Sequence, residues 1–264
     1  YPSLNVAFDI SEPQPLAWAF PLSDDNTLYD AAEAFFEGLT VSGELDRLLE
    51  RYYGHISKFD YAGTHIYLRH VNRRLPAYRE LFERAASDNN LDWRLLAAVA
   101  YQESHWNRHA VSPTGVRGIM MLTQATAAHV GIQKRTDPEQ SITGGAHYLR
   151  KLLDKVPAHI PEPDRTFFAL AAYNVGYGHL EDAREITKQR GGDADKWTDV
   201  KENLPLLRLR KWYSKTRHGY ARGNEPVRYV ENIRSYYDIL SWHLDRRFPP
   251  EPPNPVLSIS PPVL

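Results

Sequence analysis

Residues 92–106 read DWRLLAAVAYQESHW, the clearest single helix signal in the chain. Asp92 suits an N-cap, because a short carboxylate can accept from the free backbone N–H groups of a first helical turn. Leu95, Leu96, Val99 and Trp106 recur behind it at helical spacing, which predicts an amphipathic helix with one buried stripe. Positions 96, 99, 103 and 106 share a face, so Glu103 projects from the apolar side. A carboxylate placed there is at least partly desolvated, and desolvation without a cation raises its pKa. An acid still protonated near neutral pH can act as a general acid. Periodicity alone equally allows a glutamate that reaches solvent at the helix end or pairs with an arginine.

Outward from this segment the pattern stays helical. AYRELFERAAS (77–87) makes a helix stopped by Asn89 and Asn90. Thr123 caps a short helix to about Val130, and Asp137-Pro138 opens one that runs to about Val156. Pro163 or Asp164 opens TFFALAAYN, which Gly176 closes. A loop-rich stretch over 189–224 precedes a long last helix that starts at Glu225-Pro226 and carries Val230, Ile233, Tyr237, Leu240 and Leu244. Seven of the 19 prolines lie from Pro249 onward, so 246–264 reads as an extended tail. Residues 77–245 therefore predict one helical domain, and the fold class is mainly α.

The first 54 residues read differently. LNVAFD (4–9) and PLAWAF (15–20) predict two strands around the turn SEPQ. A helix capped by Asp25 or Asn26 follows, with Leu28, Ala31, Ala32, Phe35 and Phe36 in register up to Gly38. Leu45, Leu48, Leu49 and Tyr52 form a shorter one ending at Gly54. Four such pieces are too few to enclose a core, so 1–54 reads as the closing part of a larger α/β domain. Residues 55–76 have weak periodicity and read as a connecting segment.

Composition sets the outer limits. The 264 residues are 42% apolar and 25% charged, ordinary for a globular chain and wrong for a disordered or fibrous one. No run of 18 apolar residues spans a membrane, and YPSLNVAFDI lacks the basic and apolar regions of a secretory signal. There are no cysteines, which removes disulfides and thiol chemistry and suits an envelope location. The formal charge of −1 conceals ten acids against two bases in residues 1–54, and an excess of bases beyond them. His105 and His109 stand four apart but lack an HExxH context, so no metal is expected. LRLRKWYSKTRHGYARG (207–223) has six bases, three aromatics and no acid. It reads first as a solvated loop, second as a contact for acidic peptides, and after that as one for an anionic lipid surface or nucleic acid.

The residues after Glu103 add a resemblance. ESHWNRHAVSPTGVRGIMMLTQATA (103–127) resembles the catalytic signature of the lytic murein transglycosylases of the soluble-enzyme (family 1) type. Its elements stand here as Glu103-Ser104, Ser112-Pro113-Thr114-Gly115, Gly118-Ile119-Met120-Met121 and Thr126-Ala127. Ala172-Tyr173-Asn174, and Tyr229 within EPVRYVENI, follow in the family's order. Several ordered elements over about 130 residues are far more specific than a lone motif. Met121 departs from the pattern, since most of the family has Gln there, and the change costs one polar contact in the groove. Residues 1–54, and 16–54 in particular, resemble the end of a periplasmic-binding-protein-like regulatory domain found ahead of the catalytic part in some members.

The resemblance implies a lysozyme-like (goose-type) helical domain over 77–245, preceded by that α/β fragment. It implies an enzyme, a lyase that cleaves the bond between N-acetylmuramic acid and N-acetylglucosamine in peptidoglycan without water and leaves 1,6-anhydromuramyl ends. Glu103 would be the general acid and then the base. Ser112, Thr114, Met120, Met121, Tyr173, Asn174 and Tyr229 would line the substrate groove, with Ser112 or Thr114 bonding substrate or Glu103. No cofactor is implied. The partners implied are glycan strands and muropeptides, not nucleic acid, in the periplasm at the outer membrane, with any peripheral membrane association made through parts outside this chain. Two rivals remain at this point: a hydrolytic muramidase, for which Asp137 and Glu139 are available carboxylates, and a non-catalytic murein or muropeptide sensor.

Overall fold

The computed structural model describes residues 17–21, 24–53 and 61–247. Two helices that are apolar on nearly every side form its centre. They are α5 (Trp93–Ser104), with Leu96 to Tyr101 all buried, and α8 (Asp164–Val175), with Phe167 to Ala172 all buried. A helix without a polar face must be surrounded by other helices, and the alanines of LLAAVA and FFALAA let neighbours approach closely. Helix α12 (Asn224–Arg247) packs across both, while α4 (Arg79–Asp88) and α7 (Pro138–Lys155) close the other sides. Short α6 (Gln124–His129), then α9 (Tyr177–Gln189), α10 (Trp197–Asn203) and α11 (Arg210–Tyr213), complete this part. Among the described residues there is no ladder of strands, only isolated antiparallel bridges joining Val111 to Arg117 and Arg117 to Leu122.

The expected caps form. Asp92, Thr123 and Asp137 each accept a backbone N–H of the first turn, from Arg94, Thr126 and Gln140. The connecting segment reads differently in three dimensions. Its later part is helix α3 (Tyr61–Arg73) followed by a 3₁₀ turn, and Tyr67, Val71 and Leu75 are buried in the core. Tyr67 meets Tyr101, Trp106 and Tyr236 in one aromatic cluster, with ring centroids 4.5–5.6 Å apart. Helix α9 lies where no helix was expected, and α10, a 3₁₀ turn and α11 occupy much of the stretch expected as loop.

At the N-terminal side, α1 (Thr27–Val41) buries no residue, and α2 (Glu44–Tyr53) docks on the helical part through ions. Glu50 receives Lys201 Nζ at 2.6 Å and an Arg234 nitrogen at 2.6 Å, and Arg47 lies 3.2 Å from the buried Asp164. The strand expected over 4–9 lies outside the described residues, as does the tail from 248. Of the strand expected over 15–20, residues 17–20 are described and have no regular secondary structure.

Candidate active site

Glu103 sits half-buried in the last turn of α5, as its place in the apolar stripe implied. The helix ends one residue later rather than running on to Trp106. His105 and Trp106 both adopt left-handed backbone, at φ 52° and 56°, which costs about 1 kcal/mol each for residues with a Cβ. Contacts hold them there. Trp106 is 1% exposed and its Nε1 donates to Ala97 O at 2.9 Å, while His105 O accepts from Arg74 at 2.8 Å. Ser104 Oγ lies within hydrogen-bond distance of Ala100 O and Ile119 O, at 3.1 and 2.8 Å, and so ties the helix end to the following loop. Ser104 thus supports the helix end.

The partner of Glu103 comes from the far end of the chain. Tyr229 on α12, 3% exposed, donates its hydroxyl to Glu103 Oε1 at 2.6 Å. Burial pushes the Glu103 carboxyl up to about 7, and the Tyr229 hydrogen bond works against that rise. Burial together with the adjacent Glu103 raises the Tyr229 phenol well above its usual range, so it stays a donor. Tyr229→Phe deletes the contact that favours the ionised form. The Glu103 pKa then rises, and the alkaline limb of the pH–rate profile should move up by about one pH unit, since a hydrogen bond to a charged group contributes about 1.5–3 kcal/mol. An unmoved limb, from rates measured between pH 5 and 9, would mean that this hydroxyl does not tune Glu103.

The 110–122 loop beside the helix end is built on its own bonds. Ser112 Oγ accepts from Val116 N at 3.0 Å and lies 3.0 Å from Thr114 Oγ1, so these hydroxyls close a turn and make no hydrogen bond to Glu103. Gly118 has φ +96°, and a Cβ there would lie 2.1 Å from Arg135 O. Arg135 in turn donates to Leu122 O at 2.9 Å, and the buried Ser141 hydroxyl accepts from Met120 N at 3.2 Å. Met120 corrects an expectation. Its side chain is 0% exposed and packs on Gly145 of α7, so it fills core instead of forming a groove wall. What Met120 presents is its carbonyl, which accepts from Tyr173 Oη at 3.1 Å. Met121 is half-buried in left-handed backbone at φ 46°.

Tyr173 stacks on Tyr229, with centroids 6.3 Å apart and planes at 14°, and Tyr148 of α7 backs it at 5.2 Å. Asn174 is exposed beside it and makes no hydrogen bond to Glu103. The structure therefore brings Glu103, Tyr229 and Tyr173 together, keeps the Ser112 turn to itself, and adds Arg135, Ser141 and Tyr148. The consecutive glycines Gly144 and Gly145 inside α7 were the signal of close approach by the loop, but nothing local marked Ser141 or Tyr148. The carboxylates available to a hydrolase are engaged elsewhere: Asp137 caps α7, and exposed Glu139 lies 3.3 Å from Arg84.

Residues 80–196 match the family described as Transglycosylase SLT domain. The chain is 55% identical over 240 residues to membrane-bound lytic murein transglycosylase F of Marinobacter nauticus, covering 91% of this chain and 48% of that protein. It is 56% identical over 240 residues to membrane-bound lytic murein transglycosylase F 1 of Alkalilimnicola ehrlichii, covering 91% and 49%. It thus spans about half the length of these relatives. Among solved structures, the 70 kDa soluble lytic transglycosylase SLT70 of Escherichia coli is similar at 25% identity and a TM-score of 0.48, over 63% of this chain and 24% of that one. With its ordered motif elements in place, the chain matches the Transglycosylase SLT domain family over residues 80–196 and aligns over 91% of its length with a membrane-bound lytic murein transglycosylase F.

Proposed function

We propose that the helical domain is a peptidoglycan lytic transglycosylase in which Glu103 performs both proton transfers. The observation that carries this reading is the isolation of Glu103. Burial raises its pKa, Tyr229 is the side chain hydrogen-bonded to it at 2.6 Å, and no cation pairs with it among the described residues. Most glycosidases need two carboxylates, and a site with one suits a mechanism in which the substrate supplies the other group. With its pKa near 7 the carboxyl is about half protonated at neutral pH, which fits donation and recovery of one proton.

In the proposed cycle the Glu103 proton passes to the glycosidic oxygen between N-acetylmuramic acid and N-acetylglucosamine as the muramyl C1–O bond breaks. The muramyl acetamido group stabilises the cationic C1. The Glu103 carboxylate then takes the C6 hydroxyl proton as that oxygen bonds to C1, so no water is consumed. Tyr229 holds the carboxyl between these steps and Tyr173 backs Tyr229. Asn174, Met121 and the Ser112–Thr114 turn lie on elements next to Glu103 and are proposed to contact the sugars. Residues 1–54 are proposed to close a periplasmic-binding-protein-like domain, and the site of action is proposed to be the periplasm at the outer membrane.

Mass spectrometry of products from purified peptidoglycan tests this. Products ending in 1,6-anhydro sugars, each one water lighter than a reducing end, are expected. Reducing ends would establish a hydrolase, and an absence of products from folded chain would leave a binding module.

A further inference from the structure

A cleft of about 800 Å³ lies between α9 and the 212–218 turn, within the basic stretch that the proposed cycle leaves unused. Ile186, Trp212 and Tyr177 supply apolar parts of its lining. Glu181 and Glu185, one helical turn apart on α9, line it, and so do Lys155, Lys215 and Arg217. Only part of this charge is met inside the protein. Glu181 pairs with Arg184 at 2.7 Å, but Glu185 accepts only from the neutral Gln189 amide at 3.2 Å, and neither Lys215 nor Arg217 has a carboxylate within ion-pair distance among the described residues. The wall is fixed before any ligand arrives. Buried Asp182 accepts from the backbone N–H groups of Arg217 and His218 at 3.1 and 2.9 Å, and Gly178 leaves room for the His218 ring.

We propose that this cleft binds a short peptide bearing both ionised carboxylates and an ammonium group, namely the peptide that branches from the murein strand. The identification of the peptide's source rests on the proposed function. A purely anionic lipid or nucleic acid would meet Glu181 and Glu185, whereas a ligand of both signs satisfies Lys215 and Arg217 on one side and Glu185 on the other. The volume suits a ligand of a few residues. The cleft also adjoins the site. Lys155 stands two turns beyond Tyr148 on α7, about 10 Å along the axis, and Tyr177 follows Tyr173 by four residues.

The test compares the chain with its Lys215→Glu/Arg217→Glu variant, whose altered side chains are exposed and whose thermal unfolding should match that of the parent chain. Two substrates are used: intact murein, and glycan strands stripped of peptide by an amidase. The variant should lose about tenfold in kcat/KM on intact murein and nothing on bare strands. Equal losses on both, or none on either, overturn the proposal. Calorimetric titration with a free tetrapeptide carrying carboxylates and a side-chain amine reads the cleft separately. Binding by the parent chain, at least tenfold weaker in the variant, supports the cleft even if neither substrate is turned over, an outcome that would count only against the transglycosylase reading. No heat with the parent chain overturns the cleft itself.

Discussion

Glu103→Gln should abolish turnover of peptidoglycan, by about 1,000-fold or more, and at the same time make the folded chain more stable above pH 7. The first effect follows from removing the only proton donor of the proposed cycle, a contribution of about 10²–10⁴ for general acid–base catalysis. The second follows from linkage. Burial holds the folded-state pKa at about 7, above the ordinary 4.5, so between those values the native state keeps a proton that the unfolded chain has released. Such a group contributes fully below pH 4.5, and its contribution is lost as pH rises through 7. Above that pH the wild-type protein contains an ionised, poorly solvated carboxylate, which the neutral amide avoids. After discounting for the solvent that still reaches a half-buried group, the gain is about 2 kcal/mol. That corresponds to about 5 °C in Tm for a domain of this size. Melting curves of both proteins should coincide at pH 4 and separate at pH 8.5. Loss of activity with no pH-dependent separation would mean that Glu103 acts without the raised pKa assigned to it.

Gly118→Ala carries the largest expected loss of stability. Its φ of +96° is a region that residues with a Cβ seldom enter, and the added carbon would stand 2.1 Å from Arg135 O and 3.1 Å from Ser141 Oγ. The first atom is backbone and cannot swing aside. Left-handed strain of about 1–2 kcal/mol and overpacking of about 1–3 kcal/mol add to about 3–4 kcal/mol. Gly115→Ala is the control. Gly115 also has positive φ, at +78°, but a Cβ there meets nothing within 4 Å, so only the strain applies. Chemical denaturation of the two variants should therefore differ by about 2 kcal/mol. Equal losses would show that the loop yields to Arg135 at no cost. Activity should fall in Gly118→Ala beyond its loss of folded protein, because Ser104 and Tyr173 both bond to carbonyls of the adjacent Ile119 and Met120.

Some elements were hard to read for identifiable reasons. Gly176 closes α8 and also opens α9, at φ +90°, so GYG reads as loop where two helices meet at one residue. The buried face of α9 then includes Asp182 and Arg184 beside Leu180, Ala183 and Ile186, which blurs its apolar stripe. Arg184 is tolerated there because Glu181 at 2.7 Å and Asp195 pair with it. In α3 the stripe Tyr67, Val71 and Leu75 is present, but His65, Arg69, Asn72 and Arg73 crowd around it and weaken the period. Met120 was assigned to the groove because it sits among motif residues. Which way a loop side chain turns depends on the helix behind the loop, here the small Gly145.

The sequence by itself determined where α5, α6 and α7 start, through Asp92, Thr123 and Asp137, and that one carboxylate stands in the apolar stripe of α5. These are local properties, set by hydrogen bonds within a turn and by the 3.6-residue period. Only the tertiary structure decided what Glu103 meets. Tyr229 is 126 positions away, and its hydroxyl reaches Oε1 because α12 crosses α5 and α8 together. The isolation of that pair from other charges among the described residues, on which the proposed one-carboxylate chemistry rests, is a consequence of how the helices pack, and helix packing depends on contacts that no short stretch of sequence contains.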